Sequence, residues 1–282
     1  MMSKDKDEFG TRMKVYEQAE AGRKACPLLP VMIRLDGKGF SKWTKGLKRP
    51  YDSRLSEIMV EVTKFLTNEL NACFSYTQSD EISLVLYCDK RESDILYDGK
   101  LQKLVSVSAS MATAFFNSLA TKEFPDKPLA FFDSRVWAVP TLTEAANAFL
   151  WREQDATKNS ISMAARHYYS HKELHGKKGS EMQEMLFQKG VNWNEYPSFS
   201  VKRGTFVQRK KKYTKFTTGE LEKLPEQHEA RRNPDLTIER SVVEEIEMPK
   251  FSSVTNRVGV IFRGEDPISS NIKLTMEFSY DH

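Results

Sequence analysis

The apolar positions of this chain change period from segment to segment, and the changes outline a fold. Val31 to Leu35 is a short apolar run that ends at Asp36, and Ile82 to Tyr87 is a second one that starts directly after Asp80 and Glu81. Both predict strands, each carrying carboxylate at one end. Between them, from Arg54 to Leu70, apolar residues fall at Leu55, Ile58, Met59, Val62, Phe65, Leu66 and Leu70. That spacing puts one apolar stripe on a helix, and Asp52 or Ser53 can cap its start. The stretch from Val31 to Tyr87 therefore reads strand, helix, strand, turn, strand, with the turn near Ser79 carrying Asp80.

Lys100 to Leu119 has the pattern of a second helix, with Leu101, Leu104, Val105, Ala112, Phe115 and Leu119 inward and small residues suited to close packing on a sheet. Phe131 to Val139 reads as a fourth strand, and Thr141 to about His167 as another helix. The order strand, helix, strand, strand, helix, strand is the ferredoxin-like βαββαβ arrangement: α+β, an antiparallel sheet with helices on one face. The predicted division is a palm-like unit over residues 1–168 with a helical lead-in, and a C-terminal extension over 169–282 packed on it.

Composition adds bounds. At 282 residues, 39% hydrophobic and 29% charged, the chain has the balance of a soluble globular protein. No run of about eighteen apolar residues predicts a membrane span, the polar start does not resemble a secretory signal, and three scattered cysteines suggest no disulfide framework. A cytoplasmic setting is the expectation. The net charge of +4 is mild, but Lys202, Arg203, Arg209, Lys210, Lys211, Lys212 and Lys215 fall in a stretch without acid, while Glu239 to Glu247 is acid-rich. A basic ribbon with Phe206 and Tyr213 interleaved suits an RNA backbone; a solvated lysine strip has the same pattern.

If the first and third strands are neighbours, Asp36 and Asp80 converge. Two unit charges about 4 Å apart repel by about 4 kcal/mol at an effective dielectric of about 20, and a divalent cation would relieve this. Oxygen-only ligands select a hard ion, magnesium first. Gly37 fits, since a residue without Cβ permits close approach. The alternative is that both acids are turn and cap residues. The loop from Gly39 to Asp52 either covers a phosphate-bearing ligand or is simply solvated. Lys100 and Lys103, at a helix start that disfavours cations, either hold an anion there or face solvent. His167, His171 and His175 recur every four residues, a weak metal pattern where a helix is ending.

Arg34-Leu35-Asp36-Gly37-Lys38-Gly39-Phe40, Tyr76-Thr77-Gln78-Ser79-Asp80-Glu81-Ile82-Ser83, Trp151-Arg152 with Asp155 and Asn159, and Arg203-Gly204-Thr205 resemble the tRNA-histidine guanylyltransferase superfamily, including its 3'-to-5' polymerase-like branch. The resemblance implies a palm like that of polymerases and nucleotidyl cyclases. It implies two Mg2+ ions held by Asp36, Asp80 and the Gly37 carbonyl, with Glu81 beside them and also needed for activity. Nucleotide contacts are implied at Lys38, Gly39, Phe40, Ser79, Asp155 and Asn159, and triphosphate contacts at Lys100 and Lys103. The implied reaction activates a 5'-monophosphorylated tRNA with ATP or GTP, after which the 3'-hydroxyl of an incoming nucleoside triphosphate attacks the activated end. A homotetramer is implied as well. The guanylyltransferase branch carries His-Ile-Asn where this chain has Thr157-Lys158-Asn159, which favours template-directed repair of tRNA 5' ends over the dedicated addition of one guanosine. A nucleotidyl cyclase and a silent RNA-binding module are the other readings.

Overall fold

The computed structural model describes residues 8–90, 95–195, 199–233 and 235–270. In chain order it contains α1 (Glu8–Ala21), β1 (Val31–Gly37), α2 (Phe40–Trp43), α3 (Ser53–Glu69), β2 (Phe74–Gln78), β3 (Glu81–Leu86), α4 (Leu101–Glu123), β4 (Phe132–Ala138) and α5 (Leu142–Tyr168). The C-terminal part adds α6 (His171–Leu174), α7 (Gly179–Gln188), α8 (Phe199–Arg203), β5 (Thr205–Lys215), α9 (Thr218–Lys223), α10 (Glu229–Arg232), β6 (Thr237–Ile246) and α11 (Arg257–Arg263).

The six strands form one antiparallel sheet in the order β4-β1-β3-β2-β5-β6, and its first four strands have the ferredoxin-like order that the pattern predicts. Alternation along β1 explains the two cores. Val31, Ile33 and Leu35 point to one face, where Ile58, Met59, Val62 and Leu66 of α3 and Leu104, Ala112 and Phe116 of α4 bury them. Met32 points to the other, with Phe74 and Tyr76 of β2. That second face is also covered: α5 lays Ala145, Ala146, Phe149 and Ala156 on it, and Phe251, Val260 and Ile261 complete the layer. By length and composition α4 is long and apolar enough to cross a membrane; here its stripe of Leu104, Ala112, Phe116 and Ala120 is spent on the sheet.

Asp52 caps α3 as expected, accepting the Arg54 main-chain N–H at 3.2 Å. The C-terminal extension does more than pack on the palm, because β5 extends the sheet by pairing Phe74 to Thr77 of β2 with Gln208 to Thr205. The polar stretch after β5 holds α9 and α10, and the segment that follows Val254 contains α11. The histidine ladder is broken: α5 ends at Tyr168, before His171 and His175. Among the described residues no three His, Cys, Asp or Glu side chains converge as a metal cluster.

Candidate active site

The β2–β3 hairpin turns on Ser79 and Asp80, with Gln78 paired to Glu81. Ser79 takes φ 54°, the left-handed region that a turn this tight demands, and its hydroxyl donates to the Asp80 carboxylate at 3.0 Å. Next to the hairpin, β1 places Asp36 opposite Glu81, and the Gly37 N–H donates to the Asp80 carbonyl at 3.1 Å. Antiparallel register is thus what brings Asp36, Asp80 and Glu81 to one end of the sheet. On the far side of β1, Asp36 faces Asp133 of β4.

The three acids have different surroundings. Glu81 is gripped by Arg152 of α5, whose Nε and Nη2 donate to its two carboxylate oxygens at 2.6 and 2.7 Å. Both side chains are nearly buried, and burial pushes the Glu81 carboxyl up although Arg152 opposes the shift. Asp80 is pushed up too, by burial first and also by the charge of Asp36. Among the described residues Asp80 has no cationic partner, and the cation nearest Asp36 is Arg135 at 4.0 Å, which is also shared with Asp133. Asp80 without a counter-charge and Asp36 with a distant, shared one make an all-oxygen donor set that fits a hard divalent cation, whereas Glu81 is already neutralised.

The acids open onto a cleft of about 770 Å3, lined also by Ser41, Arg49, Gln78, Ser79, Arg152, Asn159, Ser162, Met163, Arg166 and His167. This is within the size of pockets that hold a nucleotide-sized ligand. Asn159 sits there, with its amide donating to Asp155 at 3.3 Å, and Asp155 in turn accepts from Arg152. One turn apart on α5, Asn159, Ser162, Met163 and Arg166 present a continuous lining.

Several predicted contacts are placed elsewhere. Phe40 is buried against Trp43, Phe116 and Phe132, so its ring belongs to the core and not to a ligand surface. The loop looked solvated because lysines surround these two aromatics. Gly37 has a packing reason as well, because a Cβ there would lie 2.3 Å from the Phe40 ring. Lys38 and Gly39 are exposed at the bend that starts α2, with Gly39 at φ 68°. Lys100 and Lys103 stand at the start of α4, beside Arg23 and Lys24. Thr113, ten residues on from Lys103, holds the Phe132 N–H next to Gly37, so about 15 Å of helix separates Lys103 from the acids' end of the sheet. They do not line the cleft. Arg49 and Arg166 do, and the sequence reading did not single them out. Four residues of helical spacing between Ser162 and Arg166, on the face that carries Asn159, were the available signal.

The ribbon is not a free basic strip. β5 pairs with acid-rich β6, and Lys211 meets Glu239 at 2.8 Å, Lys212 meets Glu244, Lys210 meets Asp266 at 2.6 Å, and Lys215 meets Asp235 at 2.5 Å. Arg209 turns inward to the carbonyls of Thr67 and Ala72. Lys202 donates to the Asn194 carbonyl, and Arg203 donates to Thr157 and lies 3.7 Å from buried Glu153. Acid-free in sequence, the strip finds its acids on β6 and in the segments before β6 and after α11.

A palm-like α+β sheet that gathers carboxylates at neighbouring strand ends, over a cleft lined with arginines, has the build of an enzyme that handles nucleotides and metal together. The sequence profile of the tRNAHis guanylyltransferase (Thg1) family matches residues 10–140. A bacterial tRNA(His) guanylyltransferase (Thg1)-like protein, solved in complex with ATP, is 44% identical, covering 71% of this chain and 88% of its own at a TM-score of 0.68. A bacterial Thg1-like protein in complex with GTP is 35% identical over 87% and 94%, with a TM-score of 0.67. The tRNA(His) guanylyltransferase of Saccharomyces cerevisiae is 29% identical over 65% of this chain and 84% of its own. The chain belongs to the tRNA(His) guanylyltransferase superfamily, a family of nucleotidyltransferases.

Proposed function

We propose that this protein is a magnesium-dependent nucleotidyltransferase that adds nucleotides to the 5' end of tRNA in the 3'-to-5' direction, restoring missing nucleotides under the direction of the opposite strand. The observation that carries the reading is the convergence of Asp36 and Asp80 at the mouth of the cleft, where among the described residues Asp80 has no counter-charge and Asp36 has only Arg135, 4.0 Å away and shared with Asp133. ATP and GTP bound to relatives support the cleft as the place for a nucleoside triphosphate.

Asp36, Asp80 and the Gly37 carbonyl are the residues that would hold Mg2+, and bound there it would lower the pKa of an attacking hydroxyl and neutralise charge on the leaving phosphate. The rest of the work falls to the chain's own groups. Arg152 fixes Glu81 with a two-point grip, which keeps that carboxylate beside Asp36 without adding a free negative charge to the site. Arg49 and Arg166 supply the positive lining that a triphosphate tail requires. Asn159 and the Ser79 hydroxyl offer neutral hydrogen-bonding groups at the same cleft.

The preference for repair over dedicated guanosine addition rests on Thr157. Its hydroxyl donates to the Glu153 carbonyl at 2.8 Å and accepts from Arg203 at 3.3 Å, and it does not line the cleft. A residue so occupied supports a site without a dedicated histidine reader at this position. A cytoplasmic setting and a homotetramer complete the proposal. The direct test supplies 5'-monophosphorylated tRNA lacking its first nucleotide, with magnesium and nucleoside triphosphates. The wild-type chain should extend it and Asp36→Ala should not; equal extension by both would remove the metal assignment, and none by the wild type would remove the activity.

A further inference from the structure

Trp151 is 52% exposed on α5, one residue from the Arg152–Glu81 pair. Two guanidinium groups lie within cation–π distance of its ring, Arg34 at 5.6 Å and Arg152 at 4.5 Å. Arg34 lies on β1, on the same face as Asp36 and one pleat away from it, with Arg135 of the edge strand β4 directly opposite. The Arg34 Nε is buried without a hydrogen-bond partner. Next to the row of acids, then, this face of the sheet carries a row of arginines with an indole above it.

The location has a chemical consequence. The cleft draws its strand residues from β1, β2 and β3 and takes none from β4, which lies on the other side of β1 in the sheet. Phosphoryl and nucleotidyl transfer place the attacking and leaving oxygens roughly in line, on opposite sides of the phosphorus. With a nucleoside triphosphate in the cleft, the second reactant reaches the acids from the β4 side.

We propose that Trp151, beside Arg34 and near Arg34's cross-strand neighbour Arg135, is the stacking platform on which the 5'-terminal base of the RNA substrate rests. The proposal depends on reading the cleft as a nucleotidyltransferase site. An exposed aromatic face accepts any base, which suits an enzyme whose acceptor end changes with each addition, and the guanidinium groups beside it match the backbone phosphates. The occupant is RNA and not a second free nucleotide, because one face among several cations suits a stacked, phosphate-linked end.

Binding separates these possibilities without turnover. Labelled 5'-monophosphorylated tRNA lacking its first nucleotide is titrated into wild type, Trp151→Ala, Trp151→Phe and Arg135→Ala, and ATP is titrated separately. The expected result is RNA binding about tenfold weaker for Trp151→Ala, close to wild type for Trp151→Phe, and ATP binding unchanged in both. Arg135→Ala, at an exposed edge position, should weaken RNA binding and reduce its salt dependence by about one phosphate. RNA affinity within twofold of wild type for Trp151→Ala and Arg135→Ala would overturn the platform while leaving the nucleotidyltransferase reading intact. An equal loss of ATP affinity would overturn it too, by placing the ring in the nucleotide cleft. Absence of RNA binding by the wild type would overturn both.

Discussion

Replacing Arg152 by Ala should destabilise the protein mainly through the acid it leaves behind. The Arg152 and Glu81 side chains are 12% and 14% exposed, joined by hydrogen bonds of 2.6 and 2.7 Å. Removing one partner of a buried pair typically costs about 3–5 kcal/mol, because the remaining charge is desolvated without compensation. Here the pair borders an open cleft, which moves the expectation to the lower end, about 3 kcal/mol. Asp36 stands opposite Glu81 and adds repulsion, whereas Asp155, the second acceptor of Arg152, is 38% exposed and loses little. Urea unfolding at neutral pH in a chelator measures the loss, with the slope expected to stay unchanged. The double variant Arg152→Ala, Glu81→Gln should recover most of it, leaving a coupling of about 2 kcal/mol or more in the cycle with the two single variants. Additive losses, with no coupling between the two positions, would refute the view that Arg152 neutralises Glu81.

Three further outcomes follow from the same geometry. Gly37→Ala pushes a methyl group into the packed Phe40 ring and should cost about 1–3 kcal/mol by thermal or urea unfolding, with the loss eased by Phe40→Leu. Asp80→Asn should raise the melting temperature of the metal-free protein, since it removes a carboxylate that burial and Asp36 both disfavour, and should reduce the stabilisation that magnesium brings; an unchanged magnesium effect would count against Asp80 as a ligand. Buried Glu153 accepts the Phe251 N–H, and burial raises its carboxyl above the ordinary 4.5. Its folded form holds the proton more tightly than the unfolded chain does, so its stabilising contribution is full below about pH 4.5 and is lost as pH rises through the raised value. In Glu153→Gln the fall of stability with rising pH should be shallower, and parallel profiles would contradict this.

What the sequence made legible was local. Period-two and period-3.6 runs place β1, α3, β3, α4, β4 and α5 within a residue or two, except that α4 runs on to Glu123, and put β2 in the order without bounds. The meeting of Asp36 with Asp80 follows once β1 lies beside β3, the condition on which the sequence predicts it and which the sheet order meets. Long-range partnerships were not visible in the same way. The lysines of β5 read as an open ribbon because nothing local reveals that β6 will lie beside them in antiparallel register. Phe40 and Trp43 sit among lysines, yet their rings fill the gap between α4 and β4. The position of Lys100 could have been derived: β3 leads away from the acids, so a helix that follows it must begin at the opposite end of the sheet. In the sequence Arg152 stands only within a motif, and its partner Glu81 lies 71 residues away.

The central claim is that this site copies a template while growing the 5' end. The most direct measurement uses a set of 5'-monophosphorylated tRNAs that lack the first nucleotide and differ only in the base opposite the gap. With magnesium and all four nucleoside triphosphates, the added nucleotide should change with that base, one complement for each template. Guanosine added whatever the opposing base, together with preference for intact tRNA-histidine, would contradict the account and assign the dedicated guanylyltransferase activity instead.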